Sequence, residues 1–268
     1  MRAIDMLMKG GIKRPSLDAL IDRLGEEPRA AIRSRVLQSL HYFTGHLEDE
    51  NPDAWRDFAR ELPVEWTSQR TLNSFRERPN VTGKLDRLED LNPRSDRVAV
   101  LLDVSASYWE PTPSGKSLAE VIAPEVEALL RRLDQSGSFF FVPFSGAPLS
   151  FSEGPIPSSQ ENLELARTFL FETLPATADR NAPSNISAAI DHALDCEEID
   201  RIIVFSGASE YVGRNVDVEL MARLYRERTR FRPAIFDFIL LNVSAAGPPR
   251  WFRLANPRGG RIFRLAAR

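Results

Sequence analysis

The sequence predicts an α/β protein, a doubly wound and mainly parallel sheet preceded by a small all-α region. Three observations predict it. Four short, nearly all-apolar runs rich in Val, Ile, Leu and Phe occupy 97–104, 139–144, 202–205 and 234–243. Amphipathic stretches of helical length, at 118–133, 162–174, 186–194 and 216–229, lie between or beside them. Buried runs alternating with helices are the sequence form of parallel strands covered on both faces. Ahead of them, through residue 92, apolar residues recur at helical spacing instead.

Each element has its own signals. Ser16 is placed to cap a helix that runs to Leu24 and stops at Gly25. Pro28, in a first-turn position, opens a second helix carrying Ile32, Val36, Leu37 and Leu40, which Gly45 and the Glu48-Asp49-Glu50-Asn51-Pro52 run end. Trp55, Phe58, Ala59 and Leu62 mark a short third helix, Leu72 and Phe75 a fourth, and 84–91 a fifth. The turn-rich Asn92-Pro93-Arg94-Ser95-Asp96 then divides the chain into a helical region, 1–95, and an α/β domain, 96–268. Within the domain, Pro143 forfeits a ladder bond and belongs at a strand end or a sheet edge. A short strand at 149–151 is expected to pair antiparallel at that edge.

Composition bounds the function. The chain has 268 residues, 43 % hydrophobic and 27 % charged, which excludes a largely disordered or collagen-like chain. Its one cysteine, Cys196, excludes an intramolecular disulfide and a Cys-rich zinc site. Three histidines leave little for a histidine-based metal or triad site. No run approaches the roughly 18 apolar residues of a membrane span, and residues 1–11 lack the apolar core of a signal peptide. The expectation is a cytoplasmic protein without membrane contact. Charge is uneven under a net of −3: residues 1–97 are neutral, 98–212 carry −11 and 213–268 carry +8. The two charged blocks either offset each other within one folded domain, or the arginine-rich end meets an acidic partner or nucleic acid. Arg223, Arg226, Arg228 and Arg230, interleaved with Leu224, Tyr225 and Phe231, suit a solvated helix face as well as a binding patch.

The chemistry concentrates at the end of the first apolar run. Leu101-Leu102-Asp103-Val104-Ser105-Ala106-Ser107 places a carboxylate and two hydroxyls, two residues apart, in one loop. Such hard oxygen ligands suit Mg²⁺. The same residues also suit a metal-free turn in which Asp103 accepts backbone N–H groups. Phe144-Ser145-Gly146-Ala147 and Phe205-Ser206-Gly207-Ala208 form a quasi-repeat, each after an apolar run. Both read as turns at the carboxyl ends of strands, where open α/β sheets bind ligands. No Gly-x-Ser-x-Gly elbow, Gly-x-Gly-x-x-Gly or Walker A loop occurs, and Asp-Val-Ser replaces the Asp-x-Asp of phosphoryl-transfer aspartates. With no nucleophile–base pair evident, the chain is not expected to be an enzyme.

Asp103-x-Ser105-x-Ser107 in this context resembles the von Willebrand factor A (vWA) family and its metal-ion-dependent adhesion site, MIDAS. Phe144-Ser145, the 181–190 segment with Ser184-Asn185-Ile186, the Ile202–Gly207 strand and Gly259-Gly260-Arg261-Ile262-Phe263 resemble further family segments. The resemblance spans about residues 96–265. It implies a vWA/Rossmann-like fold and a protein-binding function, with Mg²⁺ held by Asp103, Ser105, Ser107 and Ser184 and completed by a partner's carboxylate. Two positions depart from the family. Ser184 stands where the family has a metal-binding Thr, and Ser206 stands where it has an Asp that accepts from metal-bound water. The second change leaves one carboxylate at the matched positions, so the site is degenerate and either binds a cation weakly or not at all. Ser206 and Glu210 are candidates to support the site from behind, and Trp109 is a candidate partner contact or sheet-edge packing residue. Family association points to an adaptor of MoxR-type AAA+ ATPases or to a subunit of another multiprotein assembly. A metal-free structural subunit and an RNA-binding protein are the alternatives.

Overall fold

The structure is a computed structural model that describes residues 12–48, 50–68, 83–85, 88, 91, 95–112, 114–133, 137–207, 217–229, 234–241, 255 and 260–265. Three helices open it: α1 (Arg14–Glu26), α2 (Ala30–Thr44) and α3 (Pro52–Glu61). Lys13, not Ser16, precedes α1, and Pro15 sits at its start, where no N–H is needed. Gly25 does not end α1 but lies inside it. A Cβ there would stand 3.3 Å from Cγ of Pro52, so the glycine lets the start of α3 approach closely. Gly45, with φ of 74°, ends α2 as expected. Asn51 caps α3 by accepting from the Asp53 and Ala54 N–H groups. Leu17, Leu20, Ile21, Leu24, Val36, Leu40, Phe43 and Trp55 form the buried core of these helices, separate from the two cores of the sheet. The helix expected around Leu72 and Phe75 lies outside the described residues.

The expected helix at 84–91 is corrected at its start. Gly83–Leu85 is a strand, β1, paired in parallel with the last strand. Sheet pairing overrides the local helical pattern there. The remaining strands are β2 (Arg97–Asp103), β3 (Ser138–Phe144), β4 (Ile156–Pro157), β5 (Arg201–Ser206), β6 (Ile235–Leu241) and β7 (Ile262–Leu265). They form a seven-stranded sheet in the order β1-β7-β6-β5-β2-β3-β4, parallel except for β4. The antiparallel edge is therefore at 156–157, not at 149–151. Residues 149–151 instead form a loop that brings Phe151 against Phe139 and Phe169. Leu149 donates its N–H to the Pro143 carbonyl at 2.7 Å. The Pro143 carbonyl, and with it the missing N–H, thus faces the open edge, as the proline requires.

Strand alternation divides the sheet's contacts between two cores. Val98, Val100, Leu102, Phe139, Phe141, Ile203 and Phe205 face α5 (Leu118–Arg131) and α6 (Gln160–Thr168). Ala99, Leu101, Phe140, Val142, Ile202, Val204, Phe236 and Phe238 face α8 (Ile186–Asp195) and α9 (Val218–Arg228). A one-turn helix, α4 (Ala106–Trp109), follows β2, and α7 (Leu174–Thr177) follows α6. Between α6 and α7 the expected continuous helix widens into a π turn at Phe169–Thr173, where the Leu174 N–H reaches the Phe169 carbonyl. Pro175 lies just beyond and cannot donate to the carbonyl four residues back.

The acidic middle and basic end meet between two helices, and a separate ion cluster is buried in the sheet. Arg228 bridges Asp191 and Asp195 from α9 to α8. Asp237, fully buried in β6, accepts from Arg201 Nε at 3.0 Å and from Arg261 N and Nη2 at 2.7 and 2.9 Å. Burial pushes the Asp237 carboxyl up, but the two guanidiniums outweigh it and hold it below the usual carboxylate range.

Candidate functional site

Counted from β2, the strands lie in the order 3-2-1-4-5-6, with β1 added beside the last. The order reverses between β2 and β5, and the crevice beyond the carboxyl ends of those two strands is where such sheets bind ligands. Asp103 is the last residue of β2 and Ser206 the last of β5. The fold thus brings together at its switch point two residues that lie 103 positions apart in the chain.

Asp103 is the centre of the site. It is 3 % exposed. Its Oδ1 accepts the Ser105 N–H at 3.1 Å, closing a turn directly after the strand. Its Oδ2 accepts the hydroxyls of Ser184 and Ser206, each at 2.7 Å. Ser105, Ser184 and Ser206 are themselves buried. Ser107 lies one turn on, in α4, and is half-buried. The structure therefore gathers Asp103, Ser105, Ser184 and Ser206 into one network, with Ser107 beside it. Glu210 lies outside the described residues.

Backbone bonds tie the surrounding loops. The Val104 N–H continues the ladder to the Phe144 carbonyl, and the Ala106 N–H donates to the Ala182 carbonyl. Asn185 stands in the 181–190 segment but was not among the candidate site residues, and it ties two of these loops. Its Oδ1 caps α8 at the Ala188 N–H, its Nδ2 donates to the Gly146 carbonyl, and its N–H donates to the Ser145 carbonyl. Its place before an apolar helix was a capping signal; its hold on the 145–146 turn, 39 residues away, had none.

Trp109 is committed to packing as well as to the rim. Its Nε1 donates to the Val104 carbonyl at 3.0 Å, its ring meets Tyr108 edge-on, and the Arg180 guanidinium lies 4.7 Å over it. Arg180, Asn181, Gly146 and Ala147 are exposed. Burial pushes the Tyr108 phenol above its ordinary value, so it stays neutral at pH 7. His192 packs on Phe140, and its Nε2 lies 3.2 Å from the Ser150 hydroxyl. Ser150 sits in the irregular loop after β3 rather than at a strand–turn–helix elbow.

The oxygen donors are of the type a hard divalent cation takes. Their charge is not. Asp103 is the one carboxylate in the gathered network, and both its oxygens already accept protein hydrogen bonds. Among the described residues no group of three or more His, Cys, Asp or Glu is arranged to hold a metal. Nor, among them, is any helix long and apolar enough to cross a membrane.

The α/β part is a doubly wound, mainly parallel sheet with an antiparallel edge strand and a hydroxyl-rich turn at its switch point, the architecture that the resemblance to the vWA family implies. No protein-family model and no curated protein matches the chain. Solved structures to which it is similar include the conserved hypothetical protein BatB from Bacteroides thetaiotaomicron, at 17% identity and a TM-score of 0.48, covering 64% of this chain and 90% of that one. The SpRpn10 VWA domain is similar at 12% identity and a TM-score of 0.46, covering 64% and 88%. Proximal thread matrix protein 1 from the mussel byssus, with a zinc-occupied MIDAS motif, is similar at 13% identity and a TM-score of 0.47, covering 63% of this chain and 41% of that protein.

Proposed function

We propose that this protein is a binding module without turnover of its own, and that it docks a protein partner on the rim around Asp103. The observation that carries this reading is the convergence of three separate chain segments at the sheet's switch point. The rim they form, at 105–109, 145–147 and 181–185, is fixed from below by Asp103 and Asn185. An exposed Arg180 stacked on Trp109 stands at its side. Rigid turns with a stacked aromatic–arginine pair are the kind of surface that anchors an interface. The three N-terminal helices, Arg14–Glu26, Ala30–Thr44 and Pro52–Glu61, are a second unit with its own core and a second surface, while Gly83–Leu85 joins the sheet. In keeping with the vWA fold, the partner class is a subunit of a multiprotein assembly, with a MoxR-type AAA+ ATPase as the first candidate. Asp103, Ser105 and Ser184 satisfy one another without a cation, so the docking reading needs no Mg²⁺ at the expected positions Asp103, Ser105, Ser107 and Ser184.

Affinity purification of the full chain from its own cells tests the reading. Arg180→Glu is expected to lose the associated protein that the unaltered chain retains, with no change in melting temperature. Retention by the variant would count against the rim. One observation favours a second reading, a structural subunit held through its helical part. Leu47 and Val64 are 81 % and 83 % exposed there, more than any other large apolar side chain among the described residues. Val64→Asp would then release the partner while Arg180→Glu would not.

A further inference from the structure

We propose that the rim is held closed by Asp103 as a cation-independent clasp, and that Ser206 is the residue that makes it so. The inference concerns the clasp itself and holds whichever partner docks above it. Three segments donate to one buried carboxylate: the turn after β2 through the Ser105 N–H, the loop before α8 through Ser184, and the end of β5 through Ser206. The two hydroxyls share Oδ2, each at 2.7 Å, so the oxygen that joins the second and third segments is already filled by protein protons. Charge-assisted hydrogen bonds of this kind are short and strong, and they leave the anion compensated without a metal. A divalent cation entering here would find a single negative charge, already engaged.

A carboxylate at position 206 would reverse this balance. It would stand within contact of Asp103, and two carboxylates so close repel unless a cation lies between them or one takes up a proton. Serine at this position therefore does more than remove a charge. It converts a repulsion that only a cation relieves into a hydrogen bond that needs none.

Two measurements on the full chain test the clasp. In the first, Mn²⁺ is titrated and followed by electron paramagnetic resonance, comparing the unaltered chain, Asp103→Asn and Ser206→Asp. The unaltered chain and Asp103→Asn should bind alike, and Ser206→Asp should gain one site. A site in the unaltered chain that Asp103→Asn loses would overturn the proposal, as would a folded Ser206→Asp that gains none. Should Ser206→Asp fail to fold, Ser184→Asp offers a second carboxylate to the same oxygen and is read in the same way. In the second, hydrogen exchange of the Ser105 and Ala106 amides is compared in EDTA and in Mg²⁺. Equal protection supports the clasp, and protection that appears only with Mg²⁺ overturns it.

Discussion

Two buried carboxylates organise the sheet from opposite ends, and each is testable by a single substitution. Asp103 accepts two hydroxyls and an amide at the carboxyl ends of the strands. Asp103→Ala strands those donors, and hydrogen bonds to a charged group contribute about 1.5–3 kcal/mol each. Urea unfolding should show a loss of about 3–5 kcal/mol, the range for breaking a buried charged network. A loss under about 1 kcal/mol would mean the network does not hold the loops. Asp237 sits with Arg201 and Arg261 toward the amino-terminal end. Its folded pKa lies below the unfolded value, so its stabilisation is complete above about pH 4 and is lost as pH falls through the depressed value. The stability gap between the unaltered chain and Asp237→Asn should therefore be steady from neutral pH to mild acid and close below it. A gap that widens on acidification would contradict the ion cluster. Of these residues, Asp103, Ser105 and Ser206 were legible because they stand at or just after the ends of apolar runs, and Ser184 because its segment resembles a vWA family segment. Asp237 was not, because a charge inside a buried run is explained only by Arg201, 36 residues away, and Arg261.

At the level of elements, the strands that build the site's floor and the helices that cover it were readable because each is an uninterrupted apolar run or an amphipathic repeat. The edges were not. Gly83–Leu85 and Ile156–Pro157 are two or three residues long, and neither carries an alternating pattern. They are strands because a neighbour lends them a ladder, which local propensity does not encode. Helix caps are intermediate, since the residue type is visible but the partner is not. Asn185 shows the consequence. Asn185→Ala removes the α8 cap, at a cost of about 1–2 kcal/mol. It also frees the Gly146 carbonyl, so exchange of the 145–147 amides should rise as well. A stability loss without that rise would confine Asn185 to capping.

For the molecule as a whole, the core of the three N-terminal helices is distinct from the two cores that cover the sheet. We expect calorimetry to resolve two transitions. Leu20→Ala, which truncates the helical core and should cost about 2–5 kcal/mol, should lower one and leave the other. A single transition shifted throughout would mean one cooperative unit. The charge asymmetry, so conspicuous in sequence, is partly offset within the fold by Arg228, which bridges Asp191 and Asp195. Charge counted along a chain says nothing of which pairs fold together, which is why that signal pointed equally to a partner and to the protein itself. The rim around Asp103 is the surface that all three scales lead to. A photo-crosslinking amino acid placed in turn at Ala147, Asn181 and Val64 of the full chain, in its own cells, tests it most directly. The account predicts the same protein adduct from 147 and 181, absent from 64, and formed equally when irradiation follows lysis into Mg²⁺ or into EDTA. An adduct from 64 with none from the rim would contradict it.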